Sequence, residues 1–166
     1  MRVWPLFGIT RLLTEPRELT PRAATLQLGR VFRRSLHLYP IDAGNSNSLN
    51  MEIAALKQAQ YNLHRFGIFF TDTPRHADLI LLLGEPLQSL REPLERTLEQ
   101  VPRPFGVLWM RERLRDSAAA SAAVAVEIGA LVERAGGALV ATIDEPSGPD
   151  EIIGALRSVM GKGVGR

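Results

Sequence analysis

At 166 residues, 45% of them hydrophobic and 23% charged, the chain is long enough for one domain with a real core and has a folded protein's composition. A formal net charge of +2 gives no reason to expect a nucleic-acid partner, and all its basic residues except Lys57 and Lys162 are arginine. With no cysteine, the chain has no disulfide, thiolate zinc site, cysteine nucleophile or ordinary thiolate ligation of an iron–sulfur cluster. No run approaches the roughly 18 apolar residues of a membrane span. The start carries no long apolar signal region, so the expectation is an intracellular chain, soluble or peripheral to a membrane.

Residues 1–20 are irregular, broken by Pro5 and Pro16, with Trp4, Leu6, Phe7, Ile9, Leu12 and Leu13 set among basic residues. They read as an arm that docks on the core, a partner or a membrane surface. Thr20-Pro21 supplies an N-cap and a first-turn proline for a helix. Arg30, Arg33 and Arg34 at its end complement the helix dipole. Leu36 to Ile41 is the first strand. The polar loop follows from Asp42, and Ser48 is the expected N-cap of a helix from Leu49 to about His64. Leu49, Ile53, Leu56, Gln60 and Leu63 set the period of that helix. Gly67 to Thr71 is the second strand, and Leu79 to Leu83, wholly apolar, reads as a buried third. A helix over Pro86 to Gln100 and a fourth strand over Phe105 to Met110 come next. The alanine-rich helix from Asp116 to Arg134 ends at Gly136-Gly137. Ala138 to Ile143 is the fifth strand, and Asp150 to Met160 the last helix. This alternation predicts an α/β fold of three layers, a mostly parallel sheet with helices on both faces. Its parts are the arm (1–20), a single α/β domain (21–160) and a loose tail (161–166).

The polar turn between the first strand and its helix is where such a fold usually places chemistry. Asn45, Ser46, Asn47 and Ser48 offer amides and hydroxyls that either close the turn and cap the helix or hold an anion. No G-x-G-x-x-G or G-x-x-x-x-G-K-[ST] pattern supports a nucleotide site. His37, His64 and His76 stand on different elements, which argues against a metal site built from them. Trp4 and Trp109 read as core or interface anchors.

The turn Ile41–Ile53, IDAGNSNSLNMEI, resembles the D-x-G-S-C-N-G-C-E-x-E loop of the small iron–sulfur subunit shared by complex I and the group 4 membrane-bound nickel–iron hydrogenases. Asp42, Ala43, Gly44, Asn47, Glu52 and Ile53 fall on that pattern. Tyr61–Ile68 (YNLHRFGI) is similar to the family's Y-D-x-E-R-F-G-I, and Thr73–Gly84 (TPRHADLILLLG) to its S-P-R-H-A-D-x-L-L-V-T-G. Leu90–Pro104 resembles the helix ending in V-P-x-P, and Pro146–Leu156 the segment after the last cluster cysteine. Arg33–Leu36 (RRSL) ahead of the loop is most similar to the formate-hydrogenlyase branch. The likeness runs from about Val31 to Val159 and implies a flavodoxin-like fold.

In that family four cysteines hold one tetranuclear cluster. Here the first two positions carry Ser46 and Leu49, the third falls near Arg113 and the fourth at Glu145. Serine is a poor iron ligand, leucine is none, and arginine has no lone pair to donate. The resemblance therefore implies a degenerate site with no cofactor, no metal and no catalytic residue. Arg113 paired with Asp42, Glu52, Asp144 or Glu145 is one way to fill the vacated space. Carried over by position, Asp42, Gly44, Asn47, Glu52, Arg75 and His76 are the expected contacts to a large subunit of the hydrogenase or complex I kind. Trp4, Phe7, Arg33 and Arg34 are expected to meet the membrane arm with its antiporter-like subunits. The implied function is a non-catalytic structural subunit, peripheral on the cytoplasmic face of the cell membrane, in an ion-translocating assembly that passes no electrons through this chain. Two alternatives are a subunit of a still redox-active complex whose electrons bypass it, and a stand-alone α/β domain that binds a small anion.

Overall fold

The computed structural model describes residues 34–112, 118–144, 146 and 148–161. The arm, the helix expected from Thr20 and the tail beyond Gly161 lie outside the described residues. Five strands, β1 (Leu36–Gly44), β2 (Ile68–Phe70), β3 (Leu79–Gly84), β4 (Gly106–Arg111) and β5 (Ala138–Asp144), form one sheet in the order β2-β1-β3-β4-β5. Every pairing is parallel. Among the described residues four helices, α1 (Ser48–Leu56), α2 (Arg91–Leu98), α3 (Ala118–Arg134) and α4 (Pro149–Val159), cover its two faces.

Strand alternation decides which face each side chain serves. Leu79, Leu81 and Leu83 of β3 join Leu49, Ile53 and Leu56 of α1 and Ile152, Leu156 and Val159 of α4 in one core cluster. Ile80 and Leu82, pointing the other way, join Leu94 and Leu98 of α2 and Ile128, Leu131 and Val132 of α3 in the second. A strand buried on both faces needs apolar residues at consecutive positions, which is why LILLL carries no alternation. Each of those leucines contributes about 1.5–3 kcal/mol by leaving water.

The described elements match the expected alternation, with three instructive differences. The first helix stops at Leu56, not near His64, and the chain turns through exposed residues 57–60. Gln60, the one polar member of the apolar series, faces solvent, and Asn62 takes a left-handed φ of 42° that no helix continues through. A 3₁₀ turn at Leu63–Phe66 then returns the buried Leu63 to the core. The helix expected from Pro86 becomes a short 3₁₀ turn at Gln88–Leu90 followed by α2, so that Pro93 falls in the first turn of α2, where its missing N–H is not needed. The third difference is in β1, which runs on to Gly44 and takes Asp42 and Ala43 out of the expected loop.

The β2–β3 connection, Thr71–Asp78, has no covering helix because the register needs none. Leu38 of β1 pairs with Phe70 at the end of β2 and with Leu79 at the start of β3. The chain therefore crosses β1 at one level, tied by Thr71 N–H to Leu38 O (2.9 Å) and Asp78 N–H to His37 O (2.9 Å). Beyond Leu38 no described strand pairs with β1 on the β2 side. Leu36 and Leu38 direct their backbone groups that way, and the two-residue period puts Pro40, which has no N–H, at the next such position.

Candidate functional site

The strand order reverses between β1 and β3, and the crevice at the carboxyl ends of these strands is where this topology can hold a ligand. Here the crevice is closed by tight backbone contact. Gly84 has a φ of +81°, and a Cβ on it would lie 2.5 Å from the Gly44 carbonyl oxygen, so neither neighbour tolerates a side chain there. Leu87, whose N–H donates to Ala43 O at 3.0 Å, lays its side chain over Gly44 while remaining 56% exposed. Beneath them the Trp109 ring is wholly buried and its Nε1–H donates to Gly84 O at 2.7 Å. The Arg111 guanidinium lies 4.9 Å from the centre of that ring, and its Nε donates to Asp144 Oδ1 at 2.6 Å.

The polar turn draws its hydrogen bonds from within the chain, and the buried Asn45 Nδ2 has no hydrogen-bond partner. Asn47 N–H donates to Asn45 Oδ1 at 2.7 Å, an Asx turn, and Asn47 itself adopts φ 78°. Asn47, not Ser48, is therefore the N-cap of α1, and Ser48 is its first helical residue. Asp42 accepts from Asn50 Nδ2 at 2.7 Å and Gly44 N–H at 3.0 Å. The Asn50 bond is the largest of the causes that hold the Asp42 carboxyl below the usual range.

A carboxylate from the end of β4 completes the arrangement. Glu112 accepts the Ser46 N–H at both oxygens (3.0 and 2.9 Å), the Ser46 hydroxyl at 2.8 Å and the Ser48 hydroxyl at 2.6 Å. Burial raises its pKa and the Ser48 and Ser46 bonds together lower it more, leaving it below the ordinary glutamate value. A negative charge before the first turn of a helix also suits the helix dipole. The anion that the Ser46 N–H and the Ser46 and Ser48 hydroxyls meet is thus the protein's own Glu112.

The other predicted positions sort themselves by place. Leu49, at the second cysteine position, is 2% exposed and belongs to the α1–α4 core. Glu52 is partly buried on α1, its Oε2 without a hydrogen-bond partner. Arg75 and His76 are exposed on the β2–β3 connection, which is tied to the first half of β1, away from the Ser46 turn beyond its other end. His37 and His64, from different elements, each stack on the Phe69 ring, at 5.5 and 5.2 Å between centroids. His37 also donates its N–H to Asp78 Oδ2 at 2.8 Å. Arg34 is exposed just before β1. Trp4, Phe7, Arg33, Arg113 and Glu145 lie outside the described residues, and Asp144 pairs with Arg111. Sequence reasoning missed Glu112 and Arg111. Their signal was position: both end a parallel strand whose carboxyl edge adjoins the Ser46 turn.

No protein-family model matches the chain. It is 35% identical over 72 residues to formate hydrogenlyase subunit 7 of Escherichia coli strain K12, across 43% of this chain and 28% of that one. It is 32% identical over 91 residues to the probable membrane-bound hydrogenase subunit mbhJ of Pyrococcus furiosus, across 55% of this chain and 53% of the relative. An NADH-quinone oxidoreductase subunit of Chlorobium phaeobacteroides is 40% identical over 60 residues, across 36% of this chain and 32% of its own length. These subunits are homologues of the chain. Its matched part spans about half of their length or less. A chain in the structure of an archaeal membrane-bound sulfane sulfur reductase, described as a respiratory membrane complex, has the same fold. It aligns with a TM-score of 0.53 over 81% of this chain and 73% of that chain, at 20% identity. Among the described residues no helix is long and apolar enough to cross a membrane.

The described residues do not fit the tetranuclear cluster that the resemblance to the small-subunit family implies. Ser46 commits its hydroxyl and its N–H to Glu112, Leu49 is sealed in the core, and the sequence has no cysteine.

Proposed function

We propose that the chain is a cluster-free structural subunit of a hydrogenase- or complex-I-related membrane assembly. In this reading it docks a large subunit onto a membrane arm of antiporter-like subunits, sits peripherally at the cytoplasmic face, and passes no electrons. The observation that carries the proposal is the fate of the two ligand positions in the β1–α1 turn, Ser46 bonded to Glu112 and Leu49 packed into the core. Homology to subunits of hydrogenases and quinone oxidoreductases supports the docking role. Asp42, Gly44, Asn47 and Glu52, expected at the large-subunit interface, lie on or beside the switch-point edge, together with the exposed apolar side chains of Met51 and Leu87. An edge that presents exposed apolar side chains beside polar groups suits contact with another protein.

The test is affinity capture of the tagged full chain from gently solubilised membranes, with co-purifying proteins identified by mass spectrometry. Stoichiometric recovery with a hydrogenase- or complex-I-type large subunit and antiporter-like subunits is the expected result. Recovery of the chain alone, from the soluble fraction, overturns the docking role.

A further inference from the structure

We infer that Glu112 does by hydrogen bonding what metal ligation would do at this place: it clamps the β1–α1 turn to the end of β4 and holds the switch-point edge in one shape. The assignment of the vacated ligand positions rests on the family reading above, whereas the clamp itself rests on geometry. Ser46 and Glu112 are 66 residues apart in sequence, so their contact is a long-range tie between two elements of the sheet edge. Three donors converge on one carboxylate: a backbone N–H that spans both oxygens and two hydroxyls from the same short turn. Charge-assisted bonds of this kind are the stronger class, and the turn has no other described tie to β4 through its polar groups.

The rest of the edge is arranged to need that tie. Asp42 and Asn50 join β1 to α1, and Trp109 joins β4 to Gly84 of β3. Neither joins the Ser46–Ser48 segment to β4. Glu112 alone among the described residues does so, and it carries the negative charge that the first turn of α1 favours. Its neighbour at position 113 is where the third cysteine of the resembled family falls. The carboxylate therefore bridges the same two elements that the first and third ligands would have joined, with acceptor oxygens in place of a cluster. The Ser46 N–H and the Ser46 and Ser48 hydroxyls are consequently committed to Glu112.

The clamp is tested by residue-resolved amide hydrogen exchange on the full chain, comparing the native protein with Glu112→Ala, Glu112→Gln and the control Glu127→Gln, whose residue pairs with Arg91 on the opposite face. Glu112→Ala is expected to speed exchange of the Ser46 amide and the first turn of α1 by roughly tenfold or more, leaving β3 and β4 protected. Glu112→Gln keeps one acceptor oxygen and falls between, while Glu127→Gln leaves the turn unchanged. Ser48→Ala, which removes a single hydroxyl, gives a smaller acceleration in a chain whose fold is otherwise intact. Unchanged Ser46 exchange in Glu112→Ala overturns the clamp, as does acceleration spread evenly over all elements. Failure of the capture experiment above with a local exchange response would reject the docking role and leave the clamp standing. The reverse pattern would reject the clamp alone.

Discussion

Leu49 offers the sharpest energetic prediction, because a metal ligand position and a core position respond to substitution in opposite ways. Its side chain is 2% exposed and packs in the cluster that α1, α4 and alternate residues of β1 and β3 share. Leu49→Ala removes three buried carbons, and at about 0.8 kcal/mol each the transfer loss is about 2.4 kcal/mol. The cavity left behind adds to this, but Leu49 is the second residue of α1, near a surface turn that can relax into the space. The expected loss is therefore about 2.5–3.5 kcal/mol, within the range for buried leucines. In urea titrations followed by far-UV circular dichroism, that appears as a midpoint lowered by about 1–2 M at unchanged slope. Leu49→Met, which conserves volume, should cost less than about 1.5 kcal/mol. A Leu49→Ala midpoint within error of the native one would refute the view that this position has been absorbed into the core.

Acid should weaken the fold through Glu112 and Asp42. Both carboxyls titrate lower in the folded chain than their ordinary 4.5 and 3.8, so the unfolded chain binds more protons. Their stabilisation is full above those ordinary values and is lost as pH falls through the folded ones. Urea midpoints from about pH 7 to about pH 3 should therefore decline less steeply in Glu112→Gln than in the native chain, and parallel declines would contradict this. Gly84→Ala should cost about 2–4 kcal/mol, because its φ of +81° and the Gly44 oxygen 2.5 Å from the added Cβ both oppose it. A midpoint unchanged by that substitution would mean that the β1–β3 crevice is looser than described. Trp109→Phe leaves the Gly84 carbonyl without its indole donor, at a cost of about 1–3 kcal/mol in thermal or urea unfolding. A stabilised variant would show that this bond is not needed.

Much of this architecture is legible in the sequence because burial leaves a periodic trace. An apolar run such as Leu79–Leu83 has only one comfortable place, the middle of a parallel sheet, and the glycines after α3 mark its end. The length of α1 is overread when Gln60 is counted in an otherwise apolar series, because one polar residue at the fourth repeat is where such a helix stops. The clamp is illegible for a different reason. Whether the Glu112 carboxylate meets Ser46 depends on the strand order, which brings the end of β4 within reach of the β1–α1 turn, and on β1 continuing through Asp42 to Gly44. Asp42 and Glu112 look alike in sequence, yet one binds within its own turn and the other across 66 residues. The same dependence brings Arg111 to Asp144 across the β4–β5 pairing.

The central claim is that this homologue of hydrogenase and quinone-oxidoreductase subunits holds no cluster of its own. It is tested most directly by expressing the full chain anaerobically, incubating it with ferrous iron and sulfide under reducing conditions, and desalting. Iron and labile sulfide are then measured per chain, with an electron paramagnetic resonance spectrum of the reduced protein. The account predicts only traces of iron and no cluster signal. A stoichiometric tetranuclear cluster that survives desalting would contradict it.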